Sequence, residues 1–295
     1  MRMDPQRGQT TRRRGGGFGG GLRILVVLGF LVYGGCYYLS NRTQDPYTGE
    51  TVLIDSNLGP EQERALGLQA YEEILGQEPP LPRSDPAAQQ VTRIAQRLID
   101  KVDEVTAELA AGHGLEAPTH WQQFDWDVNV IQSDQANAFC LPGGKMAVYT
   151  GLFPVAQSED ALAVVMGHEI AHALLRHGAQ RMSQQKLTQI GQMAGAAGGL
   201  DPQQQQMVMA AMGYGYLLPY ARSHETQADE VGLMLAAAAC YDPNEAIGLW
   251  ERMSASGGEA PPEFASTHPN PGTRIQTLQA LMPRAMEYRE KFCRQ

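Results

Sequence analysis

Two histidines and a glutamate interrupt an otherwise apolar stretch of the sequence between positions 161 and 174. His168, Glu169 and His172 form the pattern His-Glu-x-x-His, and positions 161–167 before them read Ala-Leu-Ala-Val-Val-Met-Gly. Side chains four positions apart lie on one face of an α-helix, so both imidazoles can bind one zinc ion. Polar groups on an apolar helix cost free energy unless they are paired or bind a metal. The pattern therefore predicts a zinc site, and a coincidence on a core helix is the alternative.

The ends of this helix and a third protein ligand for the zinc ion can also be predicted. Ser158 is a good N-cap, so a helix is expected from there to about His177. Catalytic zinc needs a third protein ligand and an open position. Glu225 is the best candidate, and Asp229 lies four residues later on the same helical face. We expect Asp229 to hold a ligand histidine by a hydrogen bond, and Glu169 to take a proton from zinc-bound water.

Further short motifs occur in a fixed order along the chain. With the zinc helix they resemble the gluzincin metallopeptidase family that includes HtpX, the CaaX prenyl protease and the Oma-type, BepA and LoiP proteases, over about residues 45 to 290. The single apolar run near the N-terminus resembles the periplasmic, single-anchor branch. The motifs are Pro46-Tyr47-Thr48-Gly49-Glu50, Glu61-Gln62-Glu63 with Gly67, Asn137-Ala138-Phe139, Gly151-Leu152 and Glu225-Thr226-Gln227-Ala228-Asp229.

The resemblance implies a zinc-dependent endopeptidase with one zinc ion per chain and polypeptide substrates. It assigns His168, His172 and Glu225 as ligands, Glu169 as general base and acid, and Asp229 as the residue that supports a ligand. It also places the segment Asn137, Ala138 and Phe139 on an edge strand that pairs with an extended substrate through main-chain hydrogen bonds. A plain sheet edge is the alternative for that segment.

A later segment, Ser266-Thr267-His268-Pro269 followed by Arg274, also resembles a family segment near the cleft. In that interpretation His268 stabilises the oxyanion or occupies the open zinc position in a closed state, and Arg274 orients it. The alternative is that His268 ends a loop and Arg274 forms a structural ion pair. Four other histidines are predicted to lie on the surface: His113, His120, His177 and His224.

The N-terminal region predicts a membrane anchor. Ile24–Leu39 has no charge and would span roughly 24 Å as a helix, slightly less than the ~30 Å hydrocarbon core. Residues 1–23 hold six arginines and one aspartate, a net charge of +5, so about −14 remains on the rest of a chain whose total is −9. An acidic body argues against nucleic-acid binding. The arginines are expected to stay cytoplasmic and the body to be exported, to the periplasm in a bacterium.

Three processing states remain open for this segment: an uncleaved signal-anchor, which we favour, a cleaved signal, and a lipid-modified Cys36. We divide the chain into a basic tail (1–23), a transmembrane segment (24–39), an extended linker (40–60) and a peptidase domain (61–295). Cys240 with Cys293 is the expected disulfide pair, since export permits one. The alternative is that the cysteines are buried apolar residues.

The expected fold is mainly helical α+β, zincin-like, with a small sheet lining the active-site cleft. Periodicity and turn residues predict the helices and strands, and the family resemblance implies the zincin-like domain and the position of the sheet at the cleft. The alternative to an endopeptidase is a zinc-binding, chaperone-like scaffold for membrane proteins without turnover, which the presence of Glu169 disfavours. Strands are predicted at 124–131 and 145–150, a loosely packed helical hairpin or lid at 178–215, and further helices at 61–77, 84–102, 223–239, 243–254 and 271–281.

Overall fold

The computed structural model describes residues 20–213, 217–255 and 271–293. Helices form most of this part of the chain, and a three-stranded sheet lies beside the central helix. The predicted mainly helical α+β class with a small sheet is confirmed. The helices are α1 (Gly20–Ser40), α2 (Pro60–Gln77), α3 (Pro86–Ile99), α4 (Val102–Gly112), α5 (Phe153–Ala156), α6 (Glu159–Leu174), α7 (His177–Gly198), α8 (Pro202–Met212), α9 (Leu218–Ala238), α10 (Glu245–Ala255) and α11 (Pro271–Phe292), and the strands are β1 (Arg42–Gln44), β2 (Thr51–Leu53), β3 (Asp127–Ile131), β4 (Ala138–Leu141) and β5 (Lys145–Tyr149).

Helix α6 is the centre of the domain, and nearly all of its side chains are buried. Its N-cap is the predicted one, because the Ser158 hydroxyl accepts the N–H of Ala161 at 3.0 Å. Two glycines let it approach α9 closely. A methyl group on Gly232 would lie 2.6 Å from the backbone nitrogen of His168, and one on Gly167 would lie 2.7 Å from the carbonyl oxygen of Gly232. Side chains of both helices can therefore reach one common point.

The sheet has the strand order β3-β5-β4. Strand β5 pairs in parallel with β3 and antiparallel with β4. The strands predicted at 124–131 and 145–150 are confirmed as β3 and β5, although β3 begins at Asp127 because a 3₁₀ turn at His120–Gln123 precedes it. Among the described residues, β4 pairs only with β5, so its other edge faces the space in front of α6.

The segment at 40–60 is a folded hairpin rather than the extended linker expected from its composition. Strands β1 and β2 pair antiparallel. Asp45 closes the turn between them, since its carboxylate accepts the N–H groups of Tyr47 and Thr48 at 3.0 Å each. The ring of Tyr47 lies in the main core and is 1% exposed. The hairpin is therefore part of the domain.

Helix α6 ends at Leu174 and not near His177 as predicted. Arg176 adopts a left-handed conformation with φ of 55°, which breaks the helix. Two contacts hold it there: Nε donates to a carboxylate oxygen of Glu63 at 2.9 Å, and the guanidinium donates to the carbonyl of Leu58 at 3.0 Å. The next helix, α7, therefore starts at His177 in a new direction.

One helix in the described part of the chain, α1, is long and apolar enough to cross a membrane. It carries many exposed apolar side chains and packs along α7. This helix indicates membrane association. The predicted helical hairpin at 178–215 is present as α7 and α8.

The predicted disulfide bond is also confirmed. Cys240 and Cys293 are linked, with Cα atoms 5.3 Å apart. The bond joins the residues that follow α9 to the end of α11. The other two cysteines are free, Cys36 exposed on α1 and Cys140 buried in β4.

Candidate metal centre and catalytic cleft

Three potential metal ligands converge where α6 crosses α9. The Nε2 atoms of His168 and His172 are 3.0 Å apart. The carboxylate of Glu225 lies 3.5 Å from Nε2 of His168 and 3.6 Å from Nε2 of His172. The structure thus brings together the three residues that the sequence analysis selected as ligands.

These three residues fit a zinc ion. A tetrahedral zinc ion bound at about 2.0–2.1 Å separates its ligand atoms by about 3.3 Å. The observed separations of 3.0, 3.5 and 3.6 Å lie on both sides of that value. Two imidazoles and one carboxylate also form the donor set of catalytic zinc sites, in which the fourth position is left for water.

A buried ion-pair network lies behind the ligands. Nδ1 of His168 is 3.0 Å from the carboxylate of Asp229. The guanidinium of Arg274 donates to Asp229 through Nε at 2.7 Å and to Glu225 through a terminal nitrogen at 3.1 Å. It also stacks 3.9 Å from the ring centre of Trp250. One arginine on α11 therefore fixes two acidic side chains of α9, Glu225 and Asp229.

The electrostatic field at this point favours positive charge. Burial and the Arg274 guanidinium would lower the pKa of His168, but the carboxylates of Asp229 and Glu225 outweigh them and raise it to about 9. Burial alone would raise the pKa of Asp229, but the Arg274 guanidinium and His168 hold it below its usual value. Carboxylates that stabilise a proton on an imidazole would also stabilise a divalent cation bound by it.

Two of the three ligand candidates, His172 and Glu225, line a cleft of about 290 Å³ between α6 and the sheet. Glu169 and His172 line its floor, and Asn137, Ala138 and Phe139 line one wall. The side chain of Glu169 is 4% exposed, so its carboxylate lies in a nearly dry environment at the entrance to the ligand site. The edge of β4 runs along the cleft, as the sequence analysis expected for a strand that pairs with a peptide.

Comparison with known proteins assigns the family. The model of Peptidase family M48 matches residues 96–282, which include the three ligand candidates and Asp229. The chain belongs to peptidase family M48.

Relatives of this M48 peptidase carry names of metalloendopeptidases. It is 33% identical to the mitochondrial metalloendopeptidase OMA1 of Schizosaccharomyces pombe, over 91% of this chain and 75% of that protein. It is 30% identical to the human OMA1 metalloendopeptidase, over 86% of this chain and 48% of that protein. The β-barrel assembly-enhancing protease of Escherichia coli is 29% identical over 50% of this chain and 32% of that protein. The chain is therefore a zinc-dependent metalloendopeptidase.

A second hydrogen-bond chain in this M48 peptidase leads away from His172. Its Nδ1 lies 2.8 Å from Nδ1 of His177, whose Nε2 lies 3.0 Å from the amide oxygen of Gln227. The amide nitrogen of Gln227 donates to the carboxylate of Glu50 at 2.6 Å. One assignment of protons satisfies every member: His172 donates from Nδ1, His177 donates from Nε2, and Gln227 donates to Glu50.

The predictions for His177 and His224 were wrong. Both rings are buried, and they stack with centroids 4.0 Å apart. The break at Arg176 turns α7 back, so that His177 contacts the ligand candidate His172. In one continuous helix, the five-residue spacing would have placed His177 off the face of His172. Burial and the neighbouring His224 hold the pKa of His177 well below its usual value, so the ring is neutral.

Two further histidines were predicted to lie on the surface. The prediction is confirmed for His113, which is exposed. It was wrong for His120, which is half-buried because its Nε2 lies 2.9 Å from the carbonyl oxygen of Leu174 at the end of α6.

The sequence analysis did not select Glu50 and Gln227 as site residues, and one residue that it did select lies outside the described part of the chain. Glu50 and Gln227 were part of quoted motifs, and a polar side chain at a fixed place in such a motif was the signal that could have marked them. Gln227 is buried and Glu50 is exposed. The predicted site residue His268 lies outside the described residues. Arg274 forms ion pairs with the ligand candidate Glu225 and with Asp229, as the alternative of a structural ion pair expected, and its predicted role beside His268 stays a prediction.

Proposed function

We propose that this peptidase binds one zinc ion through His168, His172 and Glu225 and cleaves extended segments of exported or membrane polypeptides close to the bilayer. The observation that carries the proposal is the convergence of three ligand candidates beside a cleft that two of them, His172 and Glu225, line together with Glu169 and the edge of β4. These elements supply a metal site, a base and a peptide-binding edge within one cavity.

The chemistry divides between the ion and the protein. When bound, zinc supplies Lewis acidity, which polarises the substrate carbonyl and lowers the pKa of a coordinated water to about 7. Glu169 accepts a proton from the attacking water at its carboxylate. It then delivers that proton to the amide nitrogen, which leaves as a neutral amine. The nearly dry position of Glu169 strengthens these charge interactions relative to water.

The substrate is held by backbone pairing in this proposal. Strand β4 offers the edge opposite β5 to an extended peptide, and main-chain hydrogen bonds of this kind bind many sequences. Asn137 and Phe139, which line the cleft wall, contact the substrate side chains. Binding of this type favours segments that are already unfolded.

The neighbours of the ligands keep the two imidazoles in the correct tautomer. Asp229 accepts the Nδ1 proton of His168, and His177 accepts that of His172, so both Nε2 lone pairs point to the metal position. Arg274 balances the charge of the two acidic side chains behind the site. This arrangement costs little reorganisation when the ion binds.

The substrate class and location follow from α1 and from the relatives. We propose that α1 is a single membrane span, with the arginine-rich segment 1–23 on the cytoplasmic side and the catalytic domain on the other side, the periplasm in a bacterium. The names of the relatives, mitochondrial OMA1 and a β-barrel assembly-enhancing protease, support substrates in or near membranes. Misassembled envelope proteins are the proposed class.

The test uses the full chain in detergent micelles. Zinc per chain is measured by atomic emission, and cleavage of casein is followed with and without a chelator. We expect one zinc ion per chain, loss of cleavage on chelation, and a fall in kcat of at least about 10²-fold in Glu169→Gln with zinc retained. Glu73→Gln, on the exposed face of α2, is the matched control and should cleave at the rate of the unchanged protein.

Two outcomes would contradict the proposal. Zinc-loaded protein that cleaves equally well with Gln at position 169 would remove Glu169 from the mechanism. Retention of one zinc ion after Glu225→Ala would show that the ligand set is different.

A further inference from the structure

Helix α7 follows the apolar helix α1 over most of its length. The two helices run antiparallel, and small residues let them touch. At the end near the catalytic domain, the hydroxyl of Tyr37 lies 3.4 Å from the carbonyl oxygen of Ser183, and a methyl group placed on Gly34 would lie 3.3 Å from Ile190. Further out, a methyl group on Gly198 would lie 3.3 Å from Val27. One on Gly199 would lie 3.1 Å from Arg23.

This pairing has a consequence for any membrane that holds α1. The contacts extend from Tyr37 to Arg23 along α1, which is about 21 Å of helix and most of the ~30 Å hydrocarbon core. A bilayer that surrounds α1 must also surround its neighbour over that distance. The outer part of α7 and the whole of α8, residues 183–213, are named the α7–α8 hairpin here.

Charge distribution agrees with a lipid environment. Residues 187–221 contain one charged side chain, Asp201, which lies at the tip of the hairpin. There it caps α8 by accepting the N–H of Gln204 at 2.8 Å. Lys186 and Arg222 mark the two ends of this stretch. Within this stretch and at its ends, charged side chains thus lie only at the levels where a membrane would meet water. Helices exposed to water along their whole length would not require this distribution of charge.

Three of the larger side chains on the outer surface of the hairpin are apolar. Met193, Met207 and Val208 are 47%, 59% and 47% exposed. A cavity of about 490 Å³ opens between the hairpin and α1. Apolar residues such as Leu31 and Val208 form most of its lining, and Gln192, Gln205 and Gln206 contribute three amides. Its size and lining suit an acyl chain.

The glutamines of the hairpin do not contradict this environment. Gln189 and Gln192 line a separate cavity of about 470 Å³ between α7 and the start of α9, and Gln192 also lines the cavity beside α1. Gln203, Gln204 and Gln206 are exposed at the start of α8, close to Asp201 at the tip of the hairpin. Gln205 donates to the carbonyl of Leu200 at 2.9 Å at the tip. Polar groups at membrane depth are tolerated where they face a cavity or a protein partner.

We infer that the α7–α8 hairpin is a re-entrant element inserted beside α1 in the same bilayer, with phospholipid acyl chains covering its outer face. The inference rests on the proposal that α1 spans the membrane. It also places the catalytic centre: His177, which contacts the zinc-ligand candidate His172, precedes Ser183 by only about 9 Å of helix. The cleft therefore lies at the membrane surface, where it reaches segments that emerge from the bilayer.

The test places a fluorescent probe at single cysteines in the full chain, reconstituted in vesicles of phosphatidylethanolamine and phosphatidylglycerol. The background is Cys36→Ser, because the other cysteines are buried or disulfide-bonded. Probes are attached at Val208→Cys in the hairpin, Leu28→Cys in α1 and Leu68→Cys in α2. Leu68 is 41% exposed on the catalytic domain and is the matched control for Val208.

We expect iodide to quench the probe at position 208 at least about fivefold less than the probe at 68, because ions do not enter hydrocarbon. Lipids with a nitroxide on the acyl chain should quench the probes at 208 and 28 but not the one at 68. If position 28 behaves as lipid-exposed and position 208 as water-exposed, the inference is overturned and the anchor stands. If both positions are water-exposed, the anchor itself is contradicted.

Discussion

The contact between α6 and α9 allows a sharp test with Gly232→Ala. The added methyl group would lie 2.6 Å from the nitrogen and 2.7 Å from the Cα of His168. Ordinary contacts begin at 3.4 Å, so the two backbones must separate by roughly 0.8 Å. Neither partner is a flexible side chain, and the helices themselves must move.

The expected loss of zinc affinity follows from the ligand candidates on the two helices. α6 holds the two histidines and α9 holds Glu225, so separation lengthens the 3.5 and 3.6 Å distances between their ligand atoms. Metal sites tolerate displacements of about 0.5 Å, and we expect zinc affinity to fall at least about tenfold. Overpacking costs about 1–3 kcal/mol, whereas alanine gains about 1 kcal/mol of helix propensity. The unfolding free energy should therefore fall by up to about 2 kcal/mol.

The assay compares zinc affinity, by competition with a chromophoric chelator, and the midpoint of thermal unfolding. Gly76→Ala in α2 is the control, since a methyl group there meets nothing within 4 Å. The control should bind zinc normally and be slightly more stable. If Gly232→Ala behaves like Gly76→Ala in both measurements, close helix approach does not set the metal site and the reasoning fails.

Other substitutions test the groups around the ligands. His177→Phe keeps a ring but removes the acceptor at Nδ1, and zinc affinity should fall about 10–100-fold in the chelator competition. Arg274→Met leaves buried carboxylates without their cation, and the unfolding free energy of the zinc-free protein should fall by about 3–5 kcal/mol in urea titrations. Cys240→Ala opens the loop closed over a separation of 53 residues to Cys293. In the same titrations it should lose about 4 kcal/mol by the chain-entropy estimate.

Each of these substitutions has an exposed counterpart. The control substitutions are His113→Phe, Arg93→Met and Cys36→Ala, which change the same residue types on the surface. They should leave zinc affinity and the unfolding free energy unchanged. Normal zinc affinity in folded His177→Phe would remove that ring from the support of His172. Unchanged stability in Arg274→Met or Cys240→Ala would show that the ion-pair network or the disulfide contributes nothing to folding.

Local rules were sufficient to predict the zinc helix. The four-residue spacing of His168 and His172 fixes their common face wherever the helix lies, and the Ser158 cap depends only on backbone groups within three residues. Glu225 and Asp229 could be selected for the same reason, as two acidic side chains on one helical face. The strand at 145–150 was predicted because it is apolar and bounded by a Pro-Gly-Gly turn.

Contacts between distant parts of the chain determined what surrounds those ligands. The left-handed Arg176, held by Glu63 from 113 residues away, ends α6 and returns His177 to His172. Turn residues at 40–60 indicated a loop, but the burial of Tyr47 in the core makes that segment a packed hairpin that brings Glu50 to the site.

The sequence by itself thus determined the chemistry of this protein, because ligand type, spacing and helix capping are local properties of the chain. Only the tertiary structure decided which groups orient the ligands and where the cleft lies relative to α1. Those features depend on long-range ion pairs such as Arg274 with Asp229 and on close glycine contacts such as Gly232 with His168. Neither leaves a periodic or compositional pattern in the sequence, since each joins residues that are far apart along the chain.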